Sequence, residues 1–240
     1  MQALENRISN YVDINWLDMK VLRNLPHKIE TRRPGEDIIT EGEVSNSVFI
    51  IETGWAMRYR ILDDGRRQIL NFMLPGDCFD LMSLTQAKSD HSVNAATEVE
   101  IRRIDTQHFV SAISHSAKLA MAFWWVAIQE EAILREQIIR VGRRSATERV
   151  GHIILELNRR LAFSMGEETD FVSLPVPQAL LADALGLSVV HISRTFSKLR
   201  SKGFIATGSE GIEILRRDEL ARLSDFDNRY LHMEKLKLAS

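Results

Sequence analysis

The chain has a single cysteine, Cys78, in 240 residues. One thiol excludes an intrachain disulfide, a four-cysteine zinc site and an iron–sulfur cluster built from one chain. Charge of one sign is scarce as well: 31 Lys and Arg stand against 33 Asp and Glu, a formal balance of −2, so the chain as a whole is no polyelectrolyte. Long apolar runs are missing. The longest, Leu119 to Ile128, falls well short of the roughly 20 residues that cross a bilayer. Met1-Gln2-Ala3-Leu4-Glu5 shows no basic segment followed by an apolar stretch, so no signal peptide is expected, and the reading is of a soluble cytoplasmic protein with no membrane partner. Nucleophile elbow, phosphate loop, zinc motif and paired-carboxylate spacing are all absent, which leaves no support for an enzyme. His108 and His115 stand seven residues apart, too far for a tight chelate, and no metal is expected. What is present is an ordinary globular composition, 45% apolar and 27% charged, of a length for one or two domains.

The two halves of the chain differ in pattern. From Glu30 to about Phe109, apolar or alternating runs read as short strands: Val48 to Ile51, Ala56 to Ile61, Gln68 to Phe72 and Val99 to Ile104. Gly35, Gly42, Gly54, Gly65 and Gly76 punctuate them, with Pro34-Gly35 and Pro75-Gly76 as turn dipeptides and Asp64-Gly65 as a hairpin signal. Such spacing predicts a compact all-β roll, barrel or sandwich. Residues 107–142 switch to helix. Trp124, Ala127, Glu131, Leu134, Ile138 and Val141 recur at steps of three and four, a coiled-coil-like seam interrupted by Glu131. Phe123-Trp124-Trp125-Val126 is apolar nearly all round, which predicts burial on two sides, one against the β domain and one against the same helix of a second copy. Ala127, Leu134, Ile138 and Val141 are thus the expected contacts of a homodimer.

The helix should stop near Gly142. Ser145-Ala146-Thr147-Glu148 then has capping-box spacing, and a new helix is predicted from Arg149 to Ala162. Stop, cap and restart within six residues read as a hinge, with a domain boundary near residue 144, between domains 1–144 and 145–240.

The sharpest signal lies between Gln178 and Lys202. Gln178 to Leu185 is a short apolar helix, Gly186 breaks it, and Ser188 caps the next helix, which runs to about Lys202. Ala182, Gly186 and Ile192 have helix-turn-helix spacing: a small residue where two helices cross, glycine in the turn, and a branched apolar residue beneath the second helix. Charge agrees. Between Ala184 and Ser209 stand Arg194, Lys198, Arg200 and Lys202 with no Asp or Glu. From Arg143 onward the chain is net +2, and before it net −4, so the basic excess is local, as phosphate contact requires. Phe204 to Thr207 and Ile212 to Leu215, joined by Gly208-Ser209-Glu210-Gly211, then form a hairpin, the wing of a winged helix.

This order of parts resembles the Crp/Fnr family of bacterial transcription regulators, over about residues 15–220. The pieces that carry the likeness are Pro34-Gly35-Glu36, Gly54, Pro75-Gly76-Asp77 and Leu187-Ser188-Val189-Val190-His191-Ile192-Ser193-Arg194. It implies an α+β chain: an N-terminal β-roll (jelly-roll-like) sensor domain, a long dimerisation helix and a C-terminal winged helix-turn-helix. It also implies a homodimer on palindromic double-stranded DNA, with RNA polymerase as a further partner. Helical spacing puts Val189, Val190, Ser193, Arg194 and Ser197 on the face nearest DNA. The family commonly reads bases with a Glu and an Arg here. Arg194 matches the Arg, and its planar fork suits guanine O6 and N7. Val190 replaces the Glu, and a thymine methyl is the contact open to it. Base readout is therefore assigned to Val189, Val190, Ser193 and Arg194, and backbone contact to Ser188, His191, Ser197, Lys198, Arg200 and Lys202, with Ser193 and His191 able to serve either.

Cyclic-nucleotide members of the family hold the ribose with a Glu after the Gly-Asp turn and the phosphate with an Arg-Ser pair. Here Leu81 stands at the Glu position and His91-Ser92 at the Arg-Ser positions, so a cyclic phosphate loses its fixed cation and the ribose its acceptor. Control by cyclic AMP is not expected. His91 or Cys78 as a haem ligand and Cys78 as a redox switch are less favoured than structural roles, since nothing nearby in sequence lowers the thiol pKa. Met57, Tyr59, Met73, Leu81, Met82, His91, Ser92 and Trp124 or Trp125 are the candidates for a pocket taking an uncharged or aromatic effector, and are equally good as core. No cofactor is expected, and the effector stays open. The alternative to a DNA-binding regulator is a small-molecule sensor working mainly through protein partners.

Overall fold

The computed structural model describes residues 1–166, 169–209 and 211–233. They form two compact units. The first comprises Met1–Arg58, Phe72–Glu131 and the chain from His232; the second comprises Tyr59–Asn71 and Ala132–Leu231. The division falls inside a helix rather than at its end.

The first unit opens with two helices, α1 (Gln2–Tyr11) and α2 (Trp16–Arg23), that precede the region read as β structure. Helix α1 buries Leu4, Ile8 and Tyr11 and also its Arg7, which pairs with Asp77 and hydrogen-bonds Gln129. Strands β1 (His27–Arg32), β8 (Val99–Asp105), β3 (Ser47–Thr53) and β6 (Cys78–Phe79) make one sheet in that order. Strands β2 (Asp37–Ile39), β7 (Ser92–Ala95), β4 (Ala56–Ile61) and β5 (Arg67–Met73) make the other. The four strands expected from sequence are β3, β4, β5 and β8, and the predicted β-roll architecture is the one found. Ile39, Phe49, Ile51, Met73, Phe79, Val93, Val99 and Ile101 come from both sheets into one core. Alternation explains the first part of β8, which turns Val99 and Ile101 into the core and sends Arg102, on the other face, to Glu52. At Gly54 φ is +75°, and an added Cβ would collide with the Glu98 backbone, so this turn admits only glycine.

The single helix expected over 107–142 is two: α3 (Thr106–Ser114) and α4 (Ala117–Arg143). The reason is local. The Ser116 hydroxyl accepts from the Leu119 amide at 3.1 Å and caps a new start.

In the second unit, Arg143 ends α4 and Ser145 opens α5 (Ala146–Met165) with the full capping box: Ser145 accepts from the Glu148 amide, and Glu148 accepts from the Ser145 amide at 2.7 Å. The last turns of α4 meet α5 over a buried polar network. Arg140 pairs with Glu156, and Tyr230 donates to the same carboxylate at 2.6 Å. Arg140 also donates to His152 Nδ1 at 3.1 Å, which leaves the ring proton on Nε2, 3.1 Å from Glu136. Burial, then Arg140 and Arg144, push the His152 pKa down to about 2. Strand β9 (Phe171–Ser173), helices α6 (Gln178–Leu185) and α7 (Val189–Ser201), strands β10 (Ile205–Thr207) and β11 (Gly211–Ile214), and helix α8 (Arg217–Ser224) complete the unit. The sheet order is β10-β11-β9, which adds a third strand to the expected hairpin. Glu210, in the predicted turn, lies outside the described residues.

Candidate nucleic-acid interface

Helices α6 and α7 meet at 101°, within the range of a helix-turn-helix. Each residue of the spacing motif does what its chemistry allows. Ala182 is buried in α6. Gly186 takes φ +62°, and its amide returns to the Ala182 carbonyl, closing the first helix. Ser188 is the N-cap of α7, its hydroxyl accepting from the His191 amide at 3.2 Å. Ile192, with Thr195, Phe196 and Leu199, fills the buried stripe.

The opposite face is open. Val189 is 49% exposed and Val190 60%. Ser188, His191, Ser193, Arg194, Ser197, Lys198, Arg200 and Lys202 are exposed too. All ten residues assigned to DNA from sequence are thus on the surface, but they are not equivalent. Arg194 makes no hydrogen bond or ion pair among the described residues. Lys198 Nζ reaches Thr147 Oγ1 at 3.3 Å. Arg200 donates to Thr207 Oγ1 at 3.1 Å and Ser197 Oγ at 2.9 Å, linking the helix to β10. Lys202 is the C-cap, and its carbonyl accepts from Arg216. Arg216, which also lies over the Phe204 ring at 4.5 Å, ties the helix end to the wing and was not apparent from sequence, because its partners are a carbonyl and a ring brought near only by the fold.

The candidate effector residues fall in different places. Met57 and Met73 are buried, and Met73 belongs to the core between the sheets. Tyr59 is buried and belongs to the second unit. Leu81 and Met82 are half-buried in a short 3-10 helix, Leu81–Thr85. His91 Nδ1 bonds Asp90 at 2.7 Å, which holds that carboxyl below its usual range. Ser92 Oγ accepts from the Glu41 amide at 3.0 Å. Trp125 packs edge-on against Tyr11 and His232. Trp124 is 70% exposed and stands apart from any core. Near His91, Asp80 is buried in the left-handed region, where burial pushes its carboxyl up. Arg58, also buried, pairs with Glu130. Cys78 is buried, and burial pushes its thiol well up, against reactivity. No cluster of metal-ligating side chains occurs among the described residues, and none of their helices is by itself long and apolar enough to cross a membrane.

A β-roll followed by a long helix and a winged helix-turn-helix defines a DNA-binding transcription regulator. Comparison with known proteins agrees. Residues 29–116 match the cyclic nucleotide-binding domain, and residues 148–223 match the Crp-like helix-turn-helix domain. The nitrogen fixation regulation protein FixK of Bradyrhizobium diazoefficiens is 35% identical over 181 residues, 75% of each chain. The transcriptional activatory protein AadR of Rhodopseudomonas palustris is 33% identical over 182 residues, 76% of this chain and 75% of its own. The structure of FixK2 from Bradyrhizobium japonicum is similar with a TM-score of 0.74 at 29% identity, covering 83% of this chain and 98% of that one. The chain belongs to the Crp/Fnr family of transcription regulators.

Proposed function

We propose that this regulator binds an inverted-repeat operator as a homodimer, reads a guanine in each half-site with Arg194, and is not controlled by cyclic AMP. The observation that carries the DNA reading is the exposed face of α7: an uncommitted guanidinium among two valines and two serines, in a stretch without a carboxylate. Val189, Val190 and Ser193 share base readout, with Ser188, His191, Ser197, Lys198 and Lys202 on phosphates. Arg200 has a second role, since it braces β10. Dimerisation is supported by Trp124 and Ile138, each 70% exposed, on the same seam as half-buried Ala127, Leu134 and Val141. A seam of that kind on a lone chain lacks the partner that its apolar side chains require. We place the functional boundary at residue 144, where the capping box starts α5, and take RNA polymerase as the further partner of the bound dimer. Against cyclic AMP stand Leu81, which offers the ribose no acceptor, and His91, already engaged by Asp90; the neighbouring Arg58 is paired with Glu130. The test is selection of binding sites from random duplexes by the purified protein, with and without cell-extract metabolites. Recovery of an inverted repeat is expected, with affinity falling log-linearly in salt. Enrichment of no sequence would favour the protein-partner reading, and enrichment only with metabolites would show that an effector is needed.

A further inference from the structure

The last turn of α6 is held by side chains from three separate stretches of the second unit. A helix end leaves carbonyls without intrahelical partners. The Gly186 and Leu187 amides both return to Ala182 O, which leaves the carbonyls of Asp183, Ala184 and Leu185 to be satisfied from outside. Gln68, at the start of β5, donates to Asp183 O at 3.0 Å and to Ala184 O at 3.3 Å. Gln137 of α4, itself buried, donates to the same Ala184 O at 2.6 Å, while its Oε1 accepts from Arg140 at 2.6 Å. Arg149 of α5 donates to Leu185 O at 2.8 Å and to Arg144 O at 2.8 Å. Beside them Arg67, the first residue of β5, sets Nε and Nη2 at 2.9 and 2.8 Å from Asp183 Oδ2.

We propose that the start of β5, just past the β4–β5 turn, is a positioning element for the reading head. Arg67 and Gln68, with Gln137 opposing them on the same turn, fix where α6 ends and so the angle at which α7 is presented. An eight-residue helix anchored only along its buried face can still rock about that face. Anchors on three consecutive carbonyls from three segments remove that freedom, and Gly186 passes the constraint directly to Ser188 and α7. The inference rests on the DNA-binding reading above. Arg67 and Gln68 act through α6, so they are positioning residues.

The experiment uses the full-length protein and the selected operator at its native half-site spacing and with one base pair added or removed, which moves the half-sites by about 3.4 Å and rotates them by about 35°. Wild type should discriminate sharply among the three duplexes. Arg67→Ala combined with Gln68→Ala should bind the native spacing about three- to tenfold more weakly and lose much of the discrimination, with base preference and salt slope unchanged. A loss of folding alone would lower active protein equally for every spacing. Charge reversal supplies the second arm: Arg67→Asp and Asp183→Arg should each weaken binding, and the combination should recover most of it. Wild-type spacing discrimination in the Arg67/Gln68 variant, or no recovery in the reversed pair, would overturn the proposal. Failure of the wild type to bind any duplex would instead sink the DNA-binding reading.

Discussion

Arg194 and Lys202 carry the same charge on the same helix but stand at different places along it, and the proposed function gives them different tasks. Arg194 projects from the second turn of α7, where recognition helices enter the major groove, and Lys202 caps the far end. Arg194→Ala should lose about 1–3 kcal/mol per guanine contact and relax preference at that base alone, whereas Lys202→Ala should weaken all duplexes alike and lower the salt slope by about one. Titrations against each single-base operator variant check both; a uniform loss in Arg194→Ala would make it a phosphate clamp. His152 offers a prediction of another kind. The unfolded chain protonates this imidazole near its ordinary value of 6.5, while the folded one keeps it neutral to about 2. The unfolded state therefore binds the extra proton, and stability falls as pH drops below about 6.5, by up to about 1.4 kcal/mol per unit. Arg140 and Arg144 oppose the charge, with Glu136, Glu156 and Tyr230 also facing the site. Protection of α5 amides from hydrogen exchange, corrected for the intrinsic rate, should decline between pH 7 and 5. In His152→Gln that decline should flatten, and an unchanged pH dependence there would count against the assignment.

Among the elements, the turn between α6 and α7 is the most exacting. An added Cβ at Gly186 would lie 3.6 Å from Arg149, ordinary contact, so space is not what requires glycine. The backbone at φ +62° is, and Gly186→Ala should cost about 1–2 kcal/mol, read as a lower urea midpoint followed by far-ultraviolet circular dichroism. An unshifted midpoint would mean that the turn relaxes to another conformation. Helices α6 and α7, the Ser145 cap and strands β3, β4, β5 and β8 were legible in the sequence because each is specified by residues within a turn or two of itself. Helices α1 and α2 were not read. Tertiary contacts stabilise the first, through Arg7 buried against Asp77 and Gln129, partners about 70 and 122 residues away. The split between α3 and α4 was missed because a lone serine cap at Ser116 is weak beside a long apolar pattern.

At the scale of the whole molecule, the proposed homodimer would bring two reading heads to DNA, and the seam on α4 is where that proposal is tested. Ile138→Glu would set like charges against each other across a dry dimer interface, and sedimentation at micromolar concentration should show a monomer. Binding to a single half-site would then persist only weakly. An undisturbed dimer would place the interface elsewhere. Calorimetry with cyclic AMP should show no micromolar site. Heat at that concentration would require another cation to replace the committed pairs at His91 and Arg58.

The sequence by itself determined the parts and their order: roll, long helix, capped restart, helix-turn-helix, wing. Local rules suffice for these, because periodicity, a cap or a left-handed glycine acts within one or two turns of chain. It also singled out Arg194, since an exposed helix face follows from helical spacing. The tertiary structure alone decided which polar groups are already spent. Arg200 is committed to Ser197 and Thr207, and His91 to Asp90; Arg67, Gln68 and Gln137 hold a helix end. A hydrogen bond depends on distance and direction between groups far apart in the chain, and no local pattern encodes either.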